Sequence, residues 1–166
     1  MVEETGTVTG LADLHQAHLP PGHLHLAVSV QLVDDDERWI LQRRAASKLL
    51  FPLKWANSCC THPRPDEPLI DAAARRVEEE LGLRAHDLQH CGTFIYQAQD
   101  EVSGMVEYEL DHVYLGRAAG SASPSSVEVD EVALLALPQA FALVNGDQGA
   151  PWASSVLALA TPAAGT

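Results

Sequence analysis

Basic residues are scarce in this chain. Its 166 residues hold 10 Lys and Arg against 23 Asp and Glu, a formal net charge of −13 with histidine neutral. A surface of that sign repels phosphate backbones and anionic headgroups, which argues against nucleic acid and anionic membranes as partners. Cysteine is sparse too: three residues, two of them adjacent, do not make a disulfide framework. Long hydrophobic runs are missing. The stretch Val132 to Val144 is too short to span a bilayer, and Pro138 and Gln139 interrupt it. The start, Met1-Val2-Glu3-Glu4, lacks the basic and apolar regions of a signal peptide. These absences predict a soluble, cytoplasmic protein, and they leave its oligomeric state open. The length supports one domain, residues 1–166, with a substantial core. Its last residues, 161–166, read as a disordered tail.

What is present concentrates between Trp55 and Leu83. Asn57-Ser58-Cys59-Cys60-Thr61-His62-Pro63 offers a thiol and an imidazole two residues apart. A helix follows: Asp66 and Pro68 mark its start and Gly82 stops it. Ile70, Ala74, Val77 and Leu81 form its predicted apolar stripe. At about 100° per residue, Arg76 and Glu80 share one flank of that stripe. The bland alternative for the Glu78-Glu79-Glu80 run is an ordinary charged helix face.

Other segments carry chemistry as well. Leu24, Leu26, Val28, Val30 and Leu32 alternate inward on a strand, with His25, Ala27, Ser29 and Gln31 on its opposite face. His18 falls in a loop beside Pro20-Pro21-Gly22, and by chemistry alone His15 and His23 are equally available as ligands. Asp34 to Glu37 reads as a solvated turn. The next strand, Arg38 to Arg44, carries Trp39 and Leu41 on one face and delivers Arg43, Arg44 and Lys48 to its end. In an acidic protein such a cluster makes a plausible phosphate cradle, since Arg offers a fork and Lys a point charge. Cys91 to Ala98 and Met105 to Leu115 read as paired strands. On the second, Glu107, Glu109 and Asp111 share a face about 7 Å apart, where carboxylates repel unless a cation or proton lies between them. Gly120 to Ser126 reads as a linker, Val127 to Leu137 as a strand, and Pro138 to Val144 and Ala153 to Ala160 as helices.

Glu67, Arg75, Glu79, Glu80 and Gly82 stand at the spacing of a Nudix box, with two departures: Thr61 replaces its Gly and Arg76 one of its Glu residues. A cation on that edge favours holding a diphosphate over loading a metal cluster that activates water. Together with Asn57–Pro63, His18, His25, Glu107-Tyr108-Glu109 and Pro151-Trp152, the altered box resembles type I isopentenyl diphosphate isomerase, from about Gly10 to Trp152. That resemblance implies an α/β, Nudix-like fold, with mixed β-sheets flanked by helices in a single domain. It implies a small-molecule prenyl diphosphate as substrate and an isomerase that protonates and deprotonates it through a tertiary carbocation. Cys60 and Glu109 become the acid–base pair, Tyr96 the hydrogen-bond partner of Glu109, and Trp152 the face turned to the carbocation. Near bound cations and His62 the thiol is expected to have a lowered pKa. Arg44, Lys48 and Arg76 would contact the diphosphate. His18, His25, His62, Glu107 and Glu109 would hold Zn²⁺ or Mn²⁺, a mixed nitrogen–oxygen set suited to either, and Glu80 would hold Mg²⁺. Where the family has a further diphosphate-binding Lys, this chain has Leu14. Two other readings remain: an isomerase-like enzyme acting on a modified or longer prenyl diphosphate, and a Nudix hydrolase of nucleoside diphosphate derivatives.

Overall fold

The computed structural model describes residues 1–161, so the rest of the tail expected at 161–166 lies outside the described residues. Helix α1 spans Leu14–His18 and strand β1 His25–Val33. β2 (Trp39–Arg44), β3 (Trp55–Ala56) and β4 (Cys59–Thr61) follow, then α2 (Leu69–Leu81), β5 (Arg84–Gln99) and β6 (Val106–Ala119). β7 (Val129–Leu135), α3 (Leu137–Val144) and α4 (Ala153–Ala160) complete the chain. The sheet is mixed, in the order β3-β2-β1-β6-β5, with β4 added to β1 and β7 to β2. β1 and β6 run parallel, and every other pairing is antiparallel.

β1 lies at the centre and is buried on both faces, not on one alone. The alternation still sorts its side chains. Val28, Val30 and Leu32 join Ile40, Val77, Leu81 and Tyr114 in a core beneath α2. Across the sheet, Trp39, Leu41, Val113, Trp152, Val156 and Leu157 form a second core beneath α3 and α4. Each fully buried Leu or Val contributes about 1.5–3 kcal/mol.

Helix α2 begins after Pro68 and ends at Gly82, whose φ of 65° is the left-handed stop expected there. Its buried arc is Ala73, Val77 and Leu81 with Ala72 and Glu80, whereas Ile70 is 44% exposed and Ala74 only half-buried. Positions 73, 77 and 81 repeat every four residues, so the contact stripe starts one turn later than expected. Ser123 and Ser125, in the expected linker, donate backbone N–H groups to the last carbonyls of the helix, Leu81 and Glu80, at 2.8 Å each.

β5 begins at Arg84, well before the expected Cys91, and β6 runs on to Ala119. The expected strand from Val127 contracts to Val129–Leu135. No helix among the described residues is long and apolar enough to cross a membrane.

Candidate active site

The site is built on the two strands that flank the first half of β1. β6 pairs along one edge, bringing Glu109 opposite His25, and β4 pairs along the other, bringing Cys60 opposite Ser29. Strands two steps apart lie about 10 Å from each other. Cys60 and Glu109 therefore stand on either side of a gap one strand wide, and both open onto one cleft of about 780 Å³.

Five potential metal ligands converge, four of them (His18, His62, Glu107 and Glu109) lining that cleft and His25 beside them. Asp13 caps α1 by accepting N–H hydrogen bonds from His15 and Gln16, which places His18 in the last turn of a helix and not in the expected loop. The Nδ1 of His18 donates to the Leu14 carbonyl at 2.6 Å and that of His25 to the His23 carbonyl at 2.7 Å. A carbonyl only accepts, so Nδ1 carries a proton in each ring and Nε2 is the nitrogen turned inward. His18 Nε2 lies 2.9 Å from Glu107 Oε2, His62 Nε2 lies 2.8 Å from Glu109 Oε1, and the Nε2 atoms of His25 and His62 are 3.1 Å apart. Ligand atoms from His18, His25, His62, Glu107 and Glu109 all fall within 4.8 Å of one another. Converging lone pairs and carboxylates need positive charge between them, supplied by protons or by a divalent cation. Burial alone would lift the Glu109 carboxyl, but hydrogen bonds and charge from His25 and His62 hold it well below the usual range. Burial likewise pulls the His18 imidazole down, and the hydrogen bond and charge of Glu107 reverse that into a net rise.

Beside this cluster stand the groups able to move protons. Tyr96 donates its phenolic hydrogen to Glu109 Oε2 at 2.5 Å, and burial followed by the Glu109 charge keeps it a phenol. The Cys60 sulfur lies 3.3 Å from both Asn57 Oδ1 and Ser29 Oγ. Burial, reinforced by Asp111, pushes its thiol up to about 12, so His62 by itself does not lower it. Ser29 also donates to Asp111 Oδ2 at 2.7 Å. That carboxyl is fully buried, and burial with the charge of Glu109 raises it well above the usual range.

Asn57 fixes the frame behind the thiol. Its Nδ2 donates to the carbonyls of Val30 at 3.1 Å and Cys59 at 2.8 Å, which leaves Oδ1 to accept from the Cys60 thiol. The buried Trp152 donates Nε1–H to that oxygen at 3.1 Å. Its ring sits 5.2 Å from the Arg44 guanidinium carbon and 5.8 Å from the Tyr96 ring.

Cations line the other end. Arg44 donates to the carbonyls of Leu50 and Phe51, while Lys48 and Arg76 face the cleft with it. Arg43 turns away and pairs with Asp130 and Glu131, so it leaves the expected cradle. Glu80 is buried at 2% exposure. Its Oε1 accepts from Arg76 at 2.5 Å and its Oε2 from Gln42 at 2.8 Å. Both oxygens carry protein donors, and Glu79 lines the cleft where Glu80 does not.

A NUDIX domain profile matches residues 23–159. An isopentenyl-diphosphate Delta-isomerase from Nocardia farcinica is 41% identical over 165 residues, 98% of this chain and 94% of its own. This chain belongs to the isopentenyl-diphosphate Delta-isomerase family. The family protein from Streptomyces griseus is 43% identical over 166 residues, covering 98% of this chain and 83% of its own. Among solved structures, one from Deinococcus radiodurans matches with a TM-score of 0.75 at 17% identity, over 95% of this chain and 94% of that one. A MutT NUDIX hydrolase from Burkholderia pseudomallei matches with a TM-score of 0.65 at 18% identity, over 84% and 99%. At such identities these two structures establish the fold alone.

Within this isomerase-family chain, the fold gathers Cys60, Tyr96, Glu109 and Trp152 around one cleft with Arg44, Lys48 and Arg76. Leu14 lies at its rim, 54% exposed. Four contributors went without a role in the sequence reading: Ser29, Asn57, Asp111 and Glu128. Asn57 stands inside the motif that carries the thiol, and Asp111 continues the acidic alternation of Glu107 and Glu109. Those patterns were the available signal for two of the four.

Proposed function

We propose that this chain interconverts isopentenyl diphosphate and dimethylallyl diphosphate, with Cys60 and Glu109 as its acid–base pair. One observation carries the reading: the thiol and the carboxylate rise from strands on opposite edges of β1 into a single cleft that Arg44, Lys48 and Arg76 also line. Moving the double bond by one position requires a proton to join the terminal carbon and another to leave the carbon nearer the diphosphate. The intermediate is a tertiary carbocation and the net proton count is unchanged. Because the reaction is reversible, each group acts as acid in one direction and base in the other.

The protonation states suit such a pair. A thiol held neutral has a proton to give, and a carboxylate held ionised has room to accept one. Tyr96 orients Glu109 through its 2.5 Å hydrogen bond. Trp152 and Tyr96 exclude water that would quench the cation, and a desolvated indole face stabilises it by about 2 kcal/mol. At the polar end, Arg76 offers a fork and Lys48 a point charge to the phosphate oxygens.

Two metals complete the reading. His18, His25, His62, Glu107 and Glu109 would hold Zn²⁺ or Mn²⁺, which neutralises the packed donors and pins the Glu109 carboxylate. Mg²⁺ would neutralise diphosphate charge, and Glu80, the ligand the resemblance implies for it, would have to exchange its Arg76 or Gln42 hydrogen bond for the metal.

Incubation with isopentenyl diphosphate and Mg²⁺ in D₂O, followed by proton NMR, tests the assignment. The expected product is dimethylallyl diphosphate carrying deuterium. Cys60→Ala and Glu109→Gln should each cut turnover by about 10²- to 10⁴-fold. Wild-type rates in both variants overturn the acid–base assignment, and phosphate release from nucleoside diphosphate derivatives points instead to a hydrolase.

A further inference from the structure

Two of the three cations assigned to the diphosphate are already held by one carboxylate. Glu128 takes Lys48 Nζ on Oε2 at 2.5 Å, and its Oε1 lies 3.1 Å from Arg76 Nη2. The side chain is 24% exposed and lines the cleft. Its backbone is fixed opposite the loop that carries Lys48: Ala45 N–H donates to the Glu128 carbonyl at 2.9 Å, and Ser47 Oγ donates to the Val127 carbonyl at 3.0 Å. The bulge between Arg43 and Arg44, where β2 meets β7, brings the two segments together. Arg44, the third cation, has no carboxylate partner among the described residues; its Nε and Nη2 donate to the Leu50 and Phe51 carbonyls.

A carboxylate that bridges an ammonium and a guanidinium through its two oxygens does what a phosphate group does with the same pair. We propose that Glu128 is a built-in stand-in for the substrate's diphosphate, holding Lys48 and sharing Arg76 with Glu80 in the free protein, and setting affinity because the diphosphate must displace it. This rests on the diphosphate reading above. A diphosphate brings more charge and more acceptor oxygens than one carboxylate, so it wins both cations. Its net affinity is then lower by what Glu128 gives up. In return, the two long side chains stay ordered before substrate arrives, which spares part of their ordering cost on binding.

Glu79 supplies the control. It too lines the cleft and pairs with Arg76, through Nη1 at 3.1 Å, and its side chain is 39% exposed, but no pairing links it to Lys48. Calorimetric titration of inorganic pyrophosphate at fixed Mg²⁺ should show tighter binding by about fivefold for Glu128→Gln, the scale of a partly exposed ion pair. For Glu79→Gln the change should be clearly smaller. The KM for isopentenyl diphosphate should fall in parallel with the pyrophosphate affinity of Glu128→Gln. If wild type binds pyrophosphate and Glu128→Gln binds it no tighter, or if Glu79→Gln tightens it equally, the stand-in role is wrong while the diphosphate site stands. If no variant binds pyrophosphate, the diphosphate site itself is wrong and the inference falls with it. Thermal unfolding of each variant separates these outcomes from loss of fold.

Discussion

Trp152 donates its indole N–H to Oδ1 of Asn57 at 3.1 Å, and that same oxygen receives the Cys60 thiol at 3.3 Å. One buried amide thus sets the position of both an aromatic face and a proton-carrying sulfur. Its own orientation is locked, because Nδ2 reaches two backbone carbonyls that can only accept. Trp152→Phe keeps a ring but loses the donor, and should lower stability by about 1 kcal/mol as well as slow turnover. Asn57→Asp places a carboxylate oxygen against the carbonyls of Val30 and Cys59, and should cost at least about 3 kcal/mol. Urea denaturation measures both. An Asn57→Asp protein as stable as wild type would mean that the amide is not held as described.

The desolvated thiol of the half-buried Cys60 makes a chemical prediction. With its pKa pushed up from 9.0 to about 12, Cys60 holds about three powers of ten less thiolate at pH 7 than a free thiol does (12 − 9.0 = 3). Thiolate, not thiol, reacts with alkylating agents. Iodoacetamide at pH 7 should therefore leave Cys60 unmodified long after small thiols have reacted, as read by peptide mass spectrometry. Its labelling should accelerate as the pH rises toward 10. Labelling of Cys60 at the rate of a free thiol would contradict the raised pKa.

The turn before α2 has a pH signature of its own. Glu67 accepts from Arg75 Nε at 2.7 Å and Nη2 at 2.9 Å, and from the Arg64 N–H at 2.8 Å. These bonds, Arg75 first, lower its pKa from 4.5 to about 2. A depressed carboxyl pKa stabilises the fold above the unfolded value and loses that contribution as the pH falls through the folded one. Glu67→Gln should accordingly melt below wild type at pH 7, with the gap narrowing by pH 3.5. A gap that stays constant across that range would show that Glu67 acts by shape and not by charge.

Local patterns carried much of this molecule. The stop at Gly82, the two faces of β1, helix α4 from Ala153 to Ala160, and the shared face of Glu107, Glu109 and Asp111 all follow from periodicity and capping. Where such rules failed, distant residues had intervened. β5 starts at Arg84 because β6 pairs with a segment whose own pattern is broken by bulges at His86/Gln89 and His90/Gly92 and by a positive φ at Asp87. Ile70 left the predicted stripe because the sheet beneath α2 receives Ala73, Val77 and Leu81.

Spacing within short segments was enough to set the Cys60 thiol beside the His62 imidazole and the acids of β6 on one face, while the family resemblance singled out Arg44, Lys48 and Arg76. Only the tertiary structure decided their state. The raised thiol of Cys60, the lowered carboxyl of Glu109, the hold of Gln42 on Glu80, and the hold of Glu128 on Lys48 all depend on contacts between residues remote in the chain. Desolvation and Coulomb interactions act through space, at distances that folding sets and that no count along the sequence contains.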